Sequence, residues 1–189
     1  MKQWMMFVMV LVLSACSSTT TTKLYQLPVD HNAVSSVSGK TGGAQKLLWV
    51  SQISVPDFLA GSGVVYQTSD VNYVVAKQNL WASPLDQQLR DTLVANLSTA
   101  LPGWVVSSQP LGNDQDSLSV VISGFQGRYD GQVVVSGEWL LNQKGEYTRR
   151  PFSVTLPQQG DGYDAMVKGL ATAWQQEARS IAAQLQAQH

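Results

Sequence analysis

Reactive side chains are few in this sequence. It has one cysteine, Cys16, and two histidines, His31 and His189. Histidine is the usual base or metal ligand near neutral pH. His31 lies in a stretch rich in Ser, Gly and Asn, and His189 is the last residue given, so neither is placed to be held rigidly. There is no Gly-x-Ser-x-Gly and no His-Glu-x-x-His. Gly39-Lys40-Thr41 matches the end of a phosphate-binding loop but lacks its upstream glycine. Lys40-Thr41-Gly42 matches part of a β-lactamase element but has no Ser-x-x-Lys partner. Both are chance matches within a loop. The carboxylates have local explanations. Asp161 and Asp164 flank the start of a helical pattern, where negative charge suits the helix dipole. Asp86 lies in a first helical turn, Asp130 in a turn, Asp57 after a strand-ending proline, and Asp114 and Asp116 in a polar loop. Glu138 falls on the outer face of a strand. No pair among them calls for acid–base work, so the expectation is a protein that is not an enzyme and needs no metal or cofactor.

Cys16 carries the remaining chemistry. Ahead of it stand Lys2 and an apolar run from Trp4 to Leu13. Behind it comes the small, polar stretch Ser17–Thr22. A charged start, a short apolar middle and small residues at the cut make a secretory signal. The apolar run is about half the ~20 residues that span a bilayer. Leu13-Ser14-Ala15-Cys16 resembles a bacterial lipobox, in which the cut falls before the cysteine. Residues 1–15 would then be a signal peptide, and Cys16 would carry an S-diacylglycerol and an N-acyl chain. Each buried methylene contributes ~0.8 kcal/mol, and two or more chains make a stable anchor. Ser17 lacks the aspartate that holds such proteins at the inner membrane of enteric bacteria, which implies the outer membrane, periplasmic side. Residues 16–23 would be the tether, reaching at most ~25 Å from Cys16 to the domain.

The remainder, 24–189, fits one domain. The net charge of −1 provides no basic field for nucleic acid. With Cys16 acylated, no disulfide is possible, so stability rests on packing. Trp49, Trp81, Trp104, Trp139 and Trp174 are candidate core or interface anchors.

Hydrophobic periodicity then orders the elements. Leu24–Leu27 is a short strand ended by Pro28, and Asp30–Ala44 is a loop without apolar period. Leu47–Val55 reads as a strand with Leu47, Trp49, Ile53 and Val55 on one face. Val64–Thr68 and Val71–Ala76 are two more. Ser83-Pro84 opens a helix, with Ser83 as a cap and Pro84 at the first position. Its apolar stripe is Leu85, Leu89, Leu93, Val94, Leu97 and Leu101, and Pro102-Gly103 ends it. Trp104–Ser108 is a short strand.

An antiparallel meander follows. Leu118–Tyr129 points Leu118, Val120 and Ile122 inward. Asp130-Gly131 is a hairpin turn whose two positions tolerate positive φ. Val133, Val135, Trp139 and Leu141 line one face of the next strand. Lys144-Gly145 turns into Glu146–Leu156, where Pro151 argues for an edge. The last helix shows the stripe Tyr163, Met166, Val167, Leu170, Trp174, Ala178, Ile181 and Leu185. The order predicts an α+β two-layer sandwich: a largely antiparallel sheet with two helices on one face.

Two surfaces are candidates for contact. Phe58-Leu59 sits in a glycine-flanked loop, either exposed to a partner or lipid or tucked under the sheet. Arg128, Arg149 and Arg150 could meet an acidic partner or phospholipid heads, although a solvated sheet face is more common.

Several stretches carry a family resemblance: Leu48-Trp49-Val50, Val55–Gly61, Val64–Asp70, Asn79–Leu85, Leu93–Leu97, Leu101–Trp104 and Gly131–Leu141. In these the chain resembles the auxiliary lipoproteins of ABC-type transport systems. That resemblance implies an outer-membrane lipoprotein without catalytic residues. It implies work beside a PqiA-like inner-membrane protein and a PqiB-like protein whose MCE domains form a channel across the periplasm, in a system that moves lipids between membranes and supports envelope integrity. It also implies a homo-oligomeric ring. Phe58, Leu59 and Tyr66 are the partner-contact candidates. The alternative is a periplasmic lipid carrier with an acyl chain held between sheet and helices, although Trp174 and the leucine ladder suit a filled core better. An envelope hydrolase is the weakest reading.

Overall fold

The longest alternating run in the sequence becomes the hub of the sheet. In the computed structural model, which describes residues 21–28 and 45–187, β6 (Asp116–Arg128) pairs along its length with β7 (Gln132–Gln143). β7 pairs in turn with β8 (Glu146–Pro157). These two antiparallel ladders hold most of the paired residues. The other side of β6 is shared. Its first half takes β2 (Lys46–Ser54) and its end takes β3 (Gly63–Gln67), both parallel to it. β5 (Trp104–Ser107) extends the sheet from β2, β4 (Tyr73–Trp81) from β3, and β1 (Lys23–Tyr25) from β4. The predicted α+β class and its largely antiparallel sheet are present; the parallel contacts of β1, β2, β3 and β5 are an addition.

Two long helices cover one face and touch each other. α2 (Leu85–Ala100) buries Leu85, Leu89, Leu93 and Leu97, each at most 1% exposed, and Leu101 continues the row. α3 (Gly162–Ala187) buries Met166, Val167, Leu170, Trp174, Ala178, Ile181 and Leu185 as the stripe predicts. The sheet answers with Leu118, Val120, Ile122, Val133, Val135, Trp139 and Leu141, all at most 2% exposed. Trp81, Trp139 and Trp174 are core residues, whereas Trp49 and Trp104 are half-buried. Lys46 lies over the Trp104 ring at 5.0 Å.

Four local expectations need correction. In β2 the buried residues are Leu48 and Val50, then Ile53, not Leu47 and Trp49. A bulge between Val50 and Gln52 inserts one residue, and with a side-chain period of two this reverses the face. At α2, Pro84 occupies the cap and no side chain caps the helix. The Gln88 side chain instead ties the helix start to the chain after β1, donating to the Ser83 carbonyl at 2.8 Å and accepting from Leu27 N–H at 2.8 Å. In the β6–β7 connection only Gly131 adopts positive φ, at 75°, and its N–H bonds the Arg128 carbonyl at 3.1 Å. Asp130 does not need the left-handed region there. Finally, Phe58 and Leu59 belong not to a loop but to a single helical turn, α1 (Asp57–Ala60).

The β7–β8 turn does use two positive φ values, 51° at Lys144 and 92° at Gly145. A lysine there is strained, since left-handed backbone costs a Cβ-bearing residue ~1–2 kcal/mol and asparagine tolerates it better. Lys144→Asn is expected to raise stability by ~0.5–1 kcal/mol. Urea unfolding of the two proteins checks this, and an unchanged midpoint contradicts it.

Candidate functional site

The chain enters the domain at one fastened point. The β1 carbonyl of Tyr25 accepts from Ala82 N–H at 2.7 Å. The Tyr25 hydroxyl donates to Asp164 Oδ1 on α3 at 2.7 Å. Burial, with the Asp164 carboxylate second, pushes the Tyr25 phenol up to about 12. The hydrogen bond from Tyr25, then the charge of Lys23 at 3.9 Å, holds the Asp164 carboxyl below its ordinary range. A three-residue strand is thus tied to both layers of the fold. Cys16 itself lies outside the described residues, as do His31, His189 and the stretch 30–44 expected to be a loop.

The three contact candidates part company. Leu59 is 1% exposed and belongs to the core, so it is withdrawn from the surface. Its neighbour Phe58 is 39% exposed and its ring leans on Tyr73 with centroids 5.2 Å apart. An amphipathic turn explains the split: consecutive residues of a helix point about 100° apart. Tyr66 is half-buried and lines a hollow of about 440 Å³ with Arg128, Tyr129, Tyr163 and Met166. Gly127 pairs with Tyr66 and makes room for it, because a Cβ there would meet Met166 Sδ at 2.1 Å and the Tyr66 ring at 3.2 Å.

The β3–β4 connection and the β6–β7 turn lie side by side. The Tyr129 hydroxyl donates to Asp70 Oδ1 at 2.5 Å. The same end of the sheet exposes Val71, Tyr73, Val74 and Val75. β1 pairs β4 only at Asn79–Trp81, so it leaves Tyr73–Gln78 without a β1 partner.

The arginines do not form one basic patch. Arg128 pairs with Asp130 at 2.9 Å. Arg149 grips the Glu138 carboxylate through Nε at 2.8 Å and through its second nitrogen. Glu138 thus stays on the sheet face away from the helices, as the alternation indicates. Arg150 is its neighbour on the opposite side of the strand and pairs in register with Trp139.

Among the described residues the deepest ionisable group is one that the periodicity does not single out. Glu177 on α3 is 4% exposed. Burial pushes its carboxyl up to about 7, against a hydrogen bond from Trp139 that favours the charged form. Among the described residues no group of three His, Cys, Asp or Glu is gathered as for a metal. Among them, too, no helix is long and apolar enough to cross a membrane. The space between helices and sheet is filled by Trp139, Trp174, Phe125 and the leucine row, none above 2% exposed.

The comparisons with known proteins fit this arrangement. The model of the ABC-type transport auxiliary lipoprotein component matches residues 25–182. The chain belongs to that family. The auxiliary lipoproteins it resembles include the intermembrane transport lipoprotein PqiC of Escherichia coli (strain K12), 59% identical over 98% of both chains. The protein of the same name in Shigella flexneri matches equally. A crystal structure of an uncharacterized protein, 61% identical, superposes with a TM-score of 0.79 over 87% of this chain and 99% of that one. A Xanthomonas campestris protein shares the fold at a TM-score of 0.65, with 18% identity over 88% of this chain and all of that one. The fold is therefore shared with a protein of low sequence identity.

Proposed function

We propose that this chain is an outer-membrane lipoprotein that docks a periplasmic channel protein within an intermembrane lipid-transport system. The observation that carries the reading is end-to-end similarity to proteins named intermembrane transport lipoproteins. The lipobox at Cys16 supplies the anchor and Ser17 the outer-membrane destination. The partners are a PqiB-like protein with MCE domains and, in the same system, a PqiA-like inner-membrane protein. The working form is a homo-oligomeric ring. A filled helix–sheet interface favours docking over carrying an acyl chain inside the domain. Tyr66 in its hollow remains a contact candidate for a protein partner.

Purification of the lipidated protein from gently solubilised envelopes, with mass spectrometry of what it retains, tests the docking role. A co-purifying MCE protein supports it. Phospholipid retained without a protein partner would replace it with the carrier reading. Cys16→Ala is expected to leave the unfolding midpoint unchanged and to move the protein from the membrane to the soluble fraction. Its recovery in the membrane fraction would contradict the anchor.

A further inference from the structure

We propose that the end of the sheet formed by the β3–β4 hairpin and the β6–β7 turn rests on the phospholipid surface, with Phe58, Val71, Tyr73 and Tyr129 as its contacts. The proposal rests on the lipid anchor at Cys16, and it adds which end of the domain meets the membrane.

The direction of β1 is the first argument. β1 runs parallel to β4, with Lys23 opposite Asn79. The chain ahead of Lys23 therefore leaves toward the start of β4, which is the hairpin end. The exit is fixed, because Tyr25 is bonded to Ala82 and to Asp164. Cys16 lies seven residues before Lys23. That length reaches at most ~25 Å. From Asn79 back to Tyr73 the strand itself covers ~20 Å. The anchor can thus draw level with the hairpin but hardly pass it, so the hairpin end is held within a short distance of the bilayer.

Surface chemistry is the second argument. Val71 is 82% exposed, Tyr129 47%, Tyr73 44% and Phe58 39%. Such side chains suit the headgroup–acyl boundary, where an aromatic body meets apolar chains and a phenol meets water. Two carboxylates at this end are engaged, Asp70 accepting from Tyr129 and Asp130 pairing with Arg128, while Asp57 and Asp161 nearby are exposed. The opposite end offers the polar turn Gln143-Lys144-Gly145-Glu146, with one exposed aromatic, Tyr147, directly after it. A domain lying this way presents that far end to the periplasm.

The test uses the full lipidated chain. Acylation consumes the thiol of Cys16, so Val71→Cys and, separately, Glu146→Cys each carry one free thiol for an environment-sensitive fluorophore. Each protein is reconstituted into phosphatidylcholine vesicles, with or without brominated acyl chains. The expected result is a blue shift and a loss of fluorescence to the brominated lipid for the label at 71, and neither for the label at 146. Protein that floats with the vesicles but shows no quenching at 71, or stronger quenching at 146, overturns the orientation while leaving the anchor intact. A label at 71 that is shielded by a second copy or by a protein partner, and not quenched by lipid, also overturns it. Failure to float, with the fluorophore found on Cys16, overturns the anchor and the orientation together.

Discussion

Trp174→Ala is expected to lower the unfolding free energy by ~3–5 kcal/mol, the usual cost of removing a buried tryptophan. The side chain is 1% exposed and sits where three elements meet. Its Nε1 donates to the Leu89 carbonyl on α2 at 3.2 Å, and its ring lies 6.2 Å from that of Phe152 on β8. Both neighbours are set on rigid elements, so the gap can close only in part. Domains of this size hold only ~5–15 kcal/mol in total, and no disulfide is available to compensate. Trp174→Phe keeps much of the apolar volume and gives up the hydrogen bond, so a loss of ~1–2 kcal/mol is expected. Urea unfolding followed by far-ultraviolet circular dichroism measures both. A loss under ~1 kcal/mol for the alanine variant would mean that the layers adjust freely around this position. That outcome would reopen the possibility of an acyl chain lying between them.

The parts of the fold that could be read from the sequence are those whose faces are chemically one-sided. The leucine row of α2 and the stripe of α3 show an uninterrupted helical period, and both are buried where that period puts them. Val133 to Leu141 alternates cleanly because β7 has neighbours on both sides and helices on one face. β2 defeated the same reasoning. It is apolar on both faces at Leu47-Leu48-Trp49-Val50, so the period had no preferred phase, and one bulge residue reversed what followed. Strand order was equally hidden. The parallel pairings of β2 and β3 with β6 join segments far apart in sequence, and nothing local records them. Of the contact candidates, Phe58 and Leu59 could not be separated without knowing that they share a helical turn. Tyr129 and Val71 read from the sequence as strand ends, whereas both fall in the connections beyond β6 and before β4, and the side-by-side placement of those connections depends on the parallel register of β3 and β6. Glu177 was missed for a simpler reason. It occupies a helix position between stripe residues, and burial of a carboxylate on such a helix is decided by how wide a surface the sheet offers.

That carboxylate gives the protein a pH dependence opposite to ordinary acid unfolding. Glu177 titrates near 4.5 in an unfolded chain and near 7 in the fold. Below pH 4.5 it is neutral in both states and costs nothing. Between about 4.5 and 7 the folded state keeps a proton that the unfolded state has released, so stability falls as pH rises. Above 7 the fold must carry a buried charge with Trp139 as its hydrogen-bond donor. A full shift of this size corresponds to ~3 kcal/mol. Glu177→Gln keeps the shape and an acceptor for Trp139 while removing the charge. The variant is expected to match the native protein at pH 4 and to be more stable by ~2–3 kcal/mol at pH 8. Denaturant unfolding at a series of pH values measures the difference. A difference independent of pH would show that Glu177 is solvated in the fold, and a native protein more stable than the variant at pH 8 would place a cation beside the carboxylate.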